Sequence, residues 1–311
     1  MDESLAPYML WTEKDRLEGA PVLTAKVACA PTAPLREGKV SFVFILSVAS
    51  FIPQIHHVWR GTDARGISPV YLLFSLICAT EHVFFGFFYM VNMRSVPGLW
   101  SHNPINILDW INFVQLTSVW VLFNVLFFLC LYFNPVLRPR KAIIIDIYLI
   151  FLSVSLVPLI IDATTDIFCP PGRPNCSAMD RDPLAFFEGF HNFYLLPIIT
   201  TLLILGFYEQ VRQPPRNLSI IGLKLQAAIF ALSAVSWILR LYFLWKTFLE
   251  QPRGPVPIYL VIPSWWQQVG FVAGDDAIFA VGQGILLRLA LRQRRRGEAS
   301  DAERQPLLGQ A

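Results

Sequence analysis

Ser50-Phe51-Ile52-Pro53-Gln54-Ile55-His56-His57-Val58-Trp59-Arg60-Gly61 lies inside the first long apolar segment, and its reading decides the rest. Arg65-Gly66-Ile67-Ser68-Pro69 follows, then a second apolar span. Pro53 removes one backbone N–H and crowds the carbonyl of Ala49, so a helix is expected to bend there. Gln54 places a polar side chain where a lipid-facing helix would be apolar. Both features are expensive in a bilayer and are kept where they line a cavity or a moving part.

The bilayer follows from composition. The chain is 55% hydrophobic and only 15% charged, with mean hydropathy +0.50, far from an ordinary soluble domain. A span needs about 20 apolar residues. Seven are read, at roughly 40–59, 68–92, 105–133, 142–161, 185–207, 218–248 and 257–291. Segments such as 117–133 and 196–207 have almost no polar face to give to water, which argues against a soluble helical protein. The expected fold class is all-α, a polytopic membrane protein with seven transmembrane helices. Residues 1–38 carry scattered charges and prolines without a compact apolar core, so the first span is expected to serve as an uncleaved signal. A flexible tail is expected from about Gln293.

Basic residues set the expected orientation. Arg60, Arg65, Arg138, Arg140, Lys141, Arg212, Arg216, Arg292, Arg294, Arg295 and Arg296 fall on one side. Arg94, Arg173, Arg181, Lys246 and Arg253 fall on the other. The balance predicts a cytosolic C-terminus, although Lys26, Arg36 and Lys39 run against it. Cys169 and Cys176 bracket a short turn-rich loop between spans four and five, where a disulfide is expected in an oxidising compartment; two unpaired thiols is the alternative. Asn175-Cys176-Ser177 is formally a glycosylation sequon. Cys78 and Cys130 lie within spans and read as packing residues.

Pro53-Gln54-Ile55, the short basic loop from Arg60 to Arg65, and Gly66-Ile67-Ser68 entering the next helix resemble the first repeat of the PQ-loop family. That family includes cystinosin, vacuolar and lysosomal amino-acid transporters and relatives of the SWEET sugar carriers. The resemblance implies two three-helix bundles joined by a linker helix, related as parallel repeats. The divisions expected are an N-terminal lumenal tail over 1–38, a first bundle with the motif over 39–133, a linker helix and lumenal loop over 134–184, a second bundle over 185–291, and a cytosolic tail over 292–311. In parallel repeats span one matches span five, so Glu209-Gln210 occupies the place of a second Pro-Gln. There the chain departs from the family: the proline is missing, which weakens a hinge in the second bundle, although Pro197 lies higher in the same span.

Ionisable residues inside spans usually face a cavity, because a charge at mid-membrane costs roughly 2.5–3.5 kcal/mol on insertion scales. Glu81-His82 in span two and Asp275-Asp276 in span seven are candidate proton or substrate sites. Adjacent helical residues point about 100° apart, so Asp275 and Asp276 cannot both face one cavity. Glu188 and His191 share a helical face and are expected to form a proton-sensitive pair. Asn112, Gln115 and Asn124 of span three either line a route or act as interhelical glue.

In the tail, Glu303-Arg304-Gln305-Pro306-Leu307-Leu308 fits an acidic dileucine sorting signal readable by clathrin-adaptor proteins. The sequence has no Walker glycine loop, no Cys-His metal spacing and no Gly-x-Ser-x-Gly elbow. Neither an enzyme nor a cofactor or metal is expected, and nucleic acid is not expected as a partner. The expectation is a transporter for a small polar solute, by resemblance an amino acid or cystine-like molecule, in a vacuolar or lysosomal membrane, with proton coupling in view. The alternatives are a phospholipid scramblase or lipid-asymmetry regulator, and a receptor-like sorting protein.

Overall fold

The helix that follows the Pro-Gln segment is built by its own start signals. Ser68 is its N-cap, accepting a hydrogen bond from the Tyr71 N–H at 3.4 Å, and Pro69 occupies the first helical position, where no N–H is needed. Helix α2 runs Pro69–Phe87 and continues through a π-helical turn at Phe88–Asn92. It is buried on almost every side, its few polar residues Ser75, Thr80, Glu81 and His82 included, so it forms the centre of the protein rather than a lipid-facing wall.

The computed structural model describes residues 33–61, 64, 66–92, 100, 105–134, 139–165, 167–169, 182–213, 218–249 and 257–308. Before α2 comes α1, Ala33–Gly61. After it come α3, Ile107–Phe133, and α4, Lys141–Thr165. The next rod is α5, Asp182–Phe190, a π turn His191–Leu195, and α6, Leu196–Arg212. Then α7 spans Ile220–Leu249. The last rod is α8, Ile258–Trp265, a π turn Trp266–Gly270, and α9, Phe271–Leu308. Among the described residues the fold is helical, without strands.

These rods stand where the spans were read, but the span count is not reproduced by length and composition alone. Five segments among the described residues are long and apolar enough to cross a bilayer: Pro69–Asn92, Asp109–Phe133, Lys141–Thr165, Pro183–Arg212 and Ile220–Leu241. The first and last rods do not qualify. Side chains before Val43 in α1 and at 260, 264 and 268 of the last rod lie outside the described residues on which that count rests. Helix α4 shows the membrane setting most directly: Ile143, Ile147, Ile150, Val154, Val157 and Ile160 all lie on its exposed surface. Such a surface is tolerated in lipid and not in water. The chain is thus a polytopic, all-helical integral membrane protein.

Helix α2 packs against α3, α4 and α6, while α7 packs along α9. The Trp120 indole N–H of α3 donates to Thr80 Oγ1 of α2 and to the Tyr148 hydroxyl of α4, each at 3.0 Å, fastening three helices at one buried point. Two glycines permit close crossings. A Cβ at Gly206 of α6 would press on the Tyr71 Cα and Phe74 Cβ of α2 at 3.3 Å. A Cβ at Gly282 of α9 would overlap the Phe207 ring of α6.

Three expectations need correction or fall elsewhere. The C-terminal segment is helical through Leu308 rather than loose from Gln293. Helix α1 begins at Ala33, inside the stretch read as tail. Cys169 is disulfide-bonded, but Cys176, the Asn175 sequon, residues 1–32 and the loop residues Arg65, Arg94, Arg138, Arg173, Arg181, Arg216 and Arg253 lie outside the described residues, as do the side chains of Lys246, Glu303, Leu307 and Leu308.

Candidate functional site

At the motif end, two glutamines tie the halves of the molecule together crosswise. Gln54 of α1 is buried, and its Oε1 accepts a hydrogen bond from the Ser219 backbone N–H at 2.8 Å, at the entrance to α7. Gln210 of α6 is buried as well. Its Oε1 accepts from the Ser68 N–H at 2.7 Å and its Nε2 donates to the Gly66 carbonyl at 2.8 Å, at the entrance to α2. Each glutamine thus accepts from an N-cap N–H, a group that a helix start leaves without an intrahelical partner, and Gln210 also pairs the Gly66 carbonyl before it. The two sets of bonds are reciprocal: Gln54 of α1 reaches Ser219 before α7, and Gln210 of α6 reaches Ser68 before α2. The segment read as degenerate has lost the proline and kept the glutamine's work. Gln283 of α9 adds a third link, donating to the Tyr71 hydroxyl at 2.8 Å. Helix α1 runs through Pro53 unbroken.

Directly above lies a plug of four phenylalanines, one each from α1, α3, α7 and α9. Phe51 meets Phe123 edge-on at 4.9 Å between centroids, Phe230 stacks on Phe279 at 4.7 Å, and Phe123 lies 5.5 Å from Phe279. Aromatic contacts of this kind pack densely and exclude water. Below the plug, a cavity of about 20 Å³ touches Gln54, Tyr71, Gln226 and Gln283.

Above the plug, a cavity of about 30 Å³ is lined by residues of both halves, among them Ser47, Ser50, His82, Gln115, Ser233 and Asp276. It holds about two waters and no larger solute. The next cavity, of about 120 Å³, shares Gln115, Leu116 and Ser233 with it and continues past Asn112 and Ser236 to Trp237 and Arg240. Its wall includes Val43, about 16 Å along α1 from Gln54 at 1.5 Å per residue. The polar route therefore leads away from the motif end. Asn112 and Gln115 line it; Asn124 instead donates to the Trp120 carbonyl of its own helix at 2.9 Å and faces an outer groove of α3.

The two adjacent aspartates point apart, as helical geometry requires. Asp276 faces the cavity and accepts from the Ser233 hydroxyl at 2.6 Å. Asp275 turns toward α2 and α6: Thr200 Oγ1 donates to its Oδ1 at 2.7 Å, and His82 Nε2 and Cys78 Sγ lie 3.2 and 3.3 Å from its Oδ2. Cys78 is therefore more than a packing residue. Its spacing from His82, four residues on one helix, places both side chains on one face, a signal that the sequence reading passed over. These three are the metal-ligating types that the described residues bring together.

Glu188 and His191 are not joined by a direct hydrogen bond; His191 bonds to Glu81 of α2 and Glu188 to Tyr89 of the π turn that follows it. Glu81 Oε1 lies 2.6 Å from His191 Nδ1, with both side chains wholly buried. The His191 ring stacks on Phe84 at 4.0 Å. Glu188 accepts from the Tyr89 hydroxyl at 2.9 Å and from Asn192 Nδ2 at 2.6 Å. Glu81, His82, Asp275 and His191 thus form two polar bridges that join α2 to the second half. Of the remaining ionisable positions, Asp109 completes a capping box with Asn106, and Asp146 is exposed.

No curated protein and no solved structure matches the chain. Residues 41–92, which hold the Pro53-Gln54 segment, the Ser68 cap and the whole of α2, match the family model of the PQ loop repeat.

Proposed function

We propose that the protein is a PQ-loop-type transporter that moves a small polar solute across an organelle membrane by alternating access. The observation that carries the reading is the arrangement along one axis. Crossed glutamine bonds close the motif end, a four-phenylalanine plug lies on them, and a polar cavity shared by both halves opens the other way. This is the pattern of a carrier shut on one side. Rocking the halves apart at the motif end would break the glutamine bonds and part the plug, with the Pro53 turn as the flexible element. Seven spans result when α1 and the α8–α9 rod also cross the membrane, with Ser47, Ser50, Gln54, Asp275, Asp276 and Gln283 buried within them.

The lining favours an amino-acid-like solute. Asp276 supplies a negative charge for an ammonium group, and Ser47, Ser50, Gln115 and Ser233 supply hydroxyl and amide groups for a carboxylate. A vacuolar or lysosomal destination rests on the Glu303–Leu308 signal, and the cytosolic C-terminus on the basic loops. The deciding experiment is a flux screen in proteoliposomes, with amino acids and a fluorescent phospholipid as probes, with and without a pH gradient. Uptake of an amino acid that Asp276→Asn abolishes supports the reading. Lipid flipping without solute uptake would replace it with the scramblase reading, and pH-dependent peptide binding without flux would replace it with a receptor. Dependence of uptake on the pH gradient separates proton-driven movement from simple exchange.

A further inference from the structure

We propose that Cys78, His82 and Asp275 form a binding site for a divalent transition-metal ion of the Zn²⁺ class, with its fourth coordination position turned toward the central cavity. Such a site is independent of solute transport.

The geometry carries it. The three ligand atoms lie within 4.8 Å of one another. The separations are 3.8 Å between Cys78 Sγ and His82 Nε2, 3.3 Å between Cys78 Sγ and Asp275 Oδ2, and 3.2 Å between His82 Nε2 and Asp275 Oδ2. Tetrahedral ligands at about 2.3 Å for sulfur and about 2.0–2.1 Å for nitrogen and oxygen are spaced about 3.3–3.6 Å apart. The ligands already sit close to that spacing, and small side-chain rotations complete it. All three are buried, at 0%, 6% and 1% exposure. Two come from one helix face of α2 and the third from α9, so the ion would clamp the two halves of the molecule.

The donor set selects the ion. A thiolate, an imidazole and one carboxylate suit Zn²⁺ and its soft neighbours and do not suit Mg²⁺ or Ca²⁺, which take oxygen ligands. Three protein ligands leave one position open, as in sites where a zinc ion keeps a water or a substrate atom. Here His82 lines the cavity of about 30 Å³, which has room for that water. Outer support is present. Thr200 donates to the second oxygen of Asp275 and fixes the carboxylate's plane, as outer partners do at metal sites. Charge also balances. Binding releases the Cys78 thiol proton, and the resulting thiolate with the Asp275 carboxylate neutralises the dication, which matters where a net charge is costly.

The test uses the full chain purified in detergent and stripped with a chelator, with Co²⁺ and Zn²⁺ as probes. Co²⁺ should bind one per chain, with a near-ultraviolet thiolate-to-cobalt band and strong visible bands of a tetrahedral site, and Zn²⁺ should displace it. Cys78→Ser should lose the thiolate band, Cys130→Ser should keep it, and Thr200→Val should weaken binding by about tenfold or more while keeping the band. X-ray absorption at the zinc edge of the unaltered protein needs no variant: one sulfur at about 2.3 Å with nitrogen and oxygen neighbours is expected. Absence of stoichiometric binding, a shell without sulfur, or a thiolate band that survives in Cys78→Ser would overturn the site and leave the cluster a hydrogen-bonded bridge only. Solute flux, present or absent, bears on neither outcome.

Discussion

Gln210→Leu tests the crossed-glutamine closure most directly. The substitution keeps the side chain's bulk and removes both polar atoms. It leaves the Ser68 N–H and the Gly66 carbonyl, now bonded at 2.7 and 2.8 Å, without partners in a buried position. Each unpaired group costs about 1–3 kcal/mol, so the motif-closed state should lose about 2–6 kcal/mol relative to a state in which water reaches those groups. Every 1.4 kcal/mol is a factor of ten, and the closed-to-open ratio should fall by roughly 30-fold at least. Gln54→Leu unpairs the Ser219 N–H and should shift the balance in the same direction, by about 1–3 kcal/mol for that bond. Thiol labelling reads the change. Gln226→Cys reports below the plug and Ser236→Cys on the far route. In the Gln210→Leu background, a membrane-impermeant maleimide should label position 226 at least tenfold faster and position 236 more slowly. If thermal stability falls by the expected amount while neither labelling rate moves, Gln210 merely supports the fold and the closure argument fails.

Pro53→Ala should restore one helical hydrogen bond in α1 and leave folding intact, and solute flux per folded molecule should fall sharply; unchanged flux removes Pro53 from the moving parts. Glu81→Leu should destabilise the protein by about 1–3 kcal/mol, because it strands His191 Nδ1 in a wholly buried site. Adding His191→Phe, whose ring can stack on Phe84 in the same way, should recover most of that loss in thermal unfolding, and additivity of the two changes would show that the contact carries no coupling. Leu307→Ala with Leu308→Ala should divert the protein from the vacuole or lysosome to the cell surface, as followed by microscopy of a tagged protein. Unaltered location makes the motif a chance match.

The element plan was legible because it rests on short-range physics. Runs of about 20 apolar residues and the turn at Gly66-Ile67-Ser68 are local features, and the helices fall where those features put them, although α1 runs on through Pro53. The divergence of Asp275 and Asp276 was equally local, since 100° per residue is a property of any helix. The sequence also marked Gln210 as the counterpart of Gln54. Only the tertiary structure showed that it performs the counterpart's task, because its partners, Gly66 and Ser68, are more than 140 residues away. The same distance hid the partners of the buried ionisable groups. Glu188 and His191 share a helix face, and spacing alone pairs them. Packing α2 against α6 offered each a nearer partner, and Glu81 and Tyr89 took them. Cys78 and His82 are neighbours on one face by sequence, but a two-residue face is no site until α9 brings Asp275 within reach. Hydropathy likewise read α2 and α4 as similar spans. Burial of one and exposure of the other were decided by packing: α3, α4 and α6 surround α2, and Gly206 lets α6 approach its backbone closely. Local sequence sets where a helix begins, ends and bends; which polar groups meet inside the membrane depends on long-range packing, where an unpaired group costs more than the order of residues along one helix can reveal.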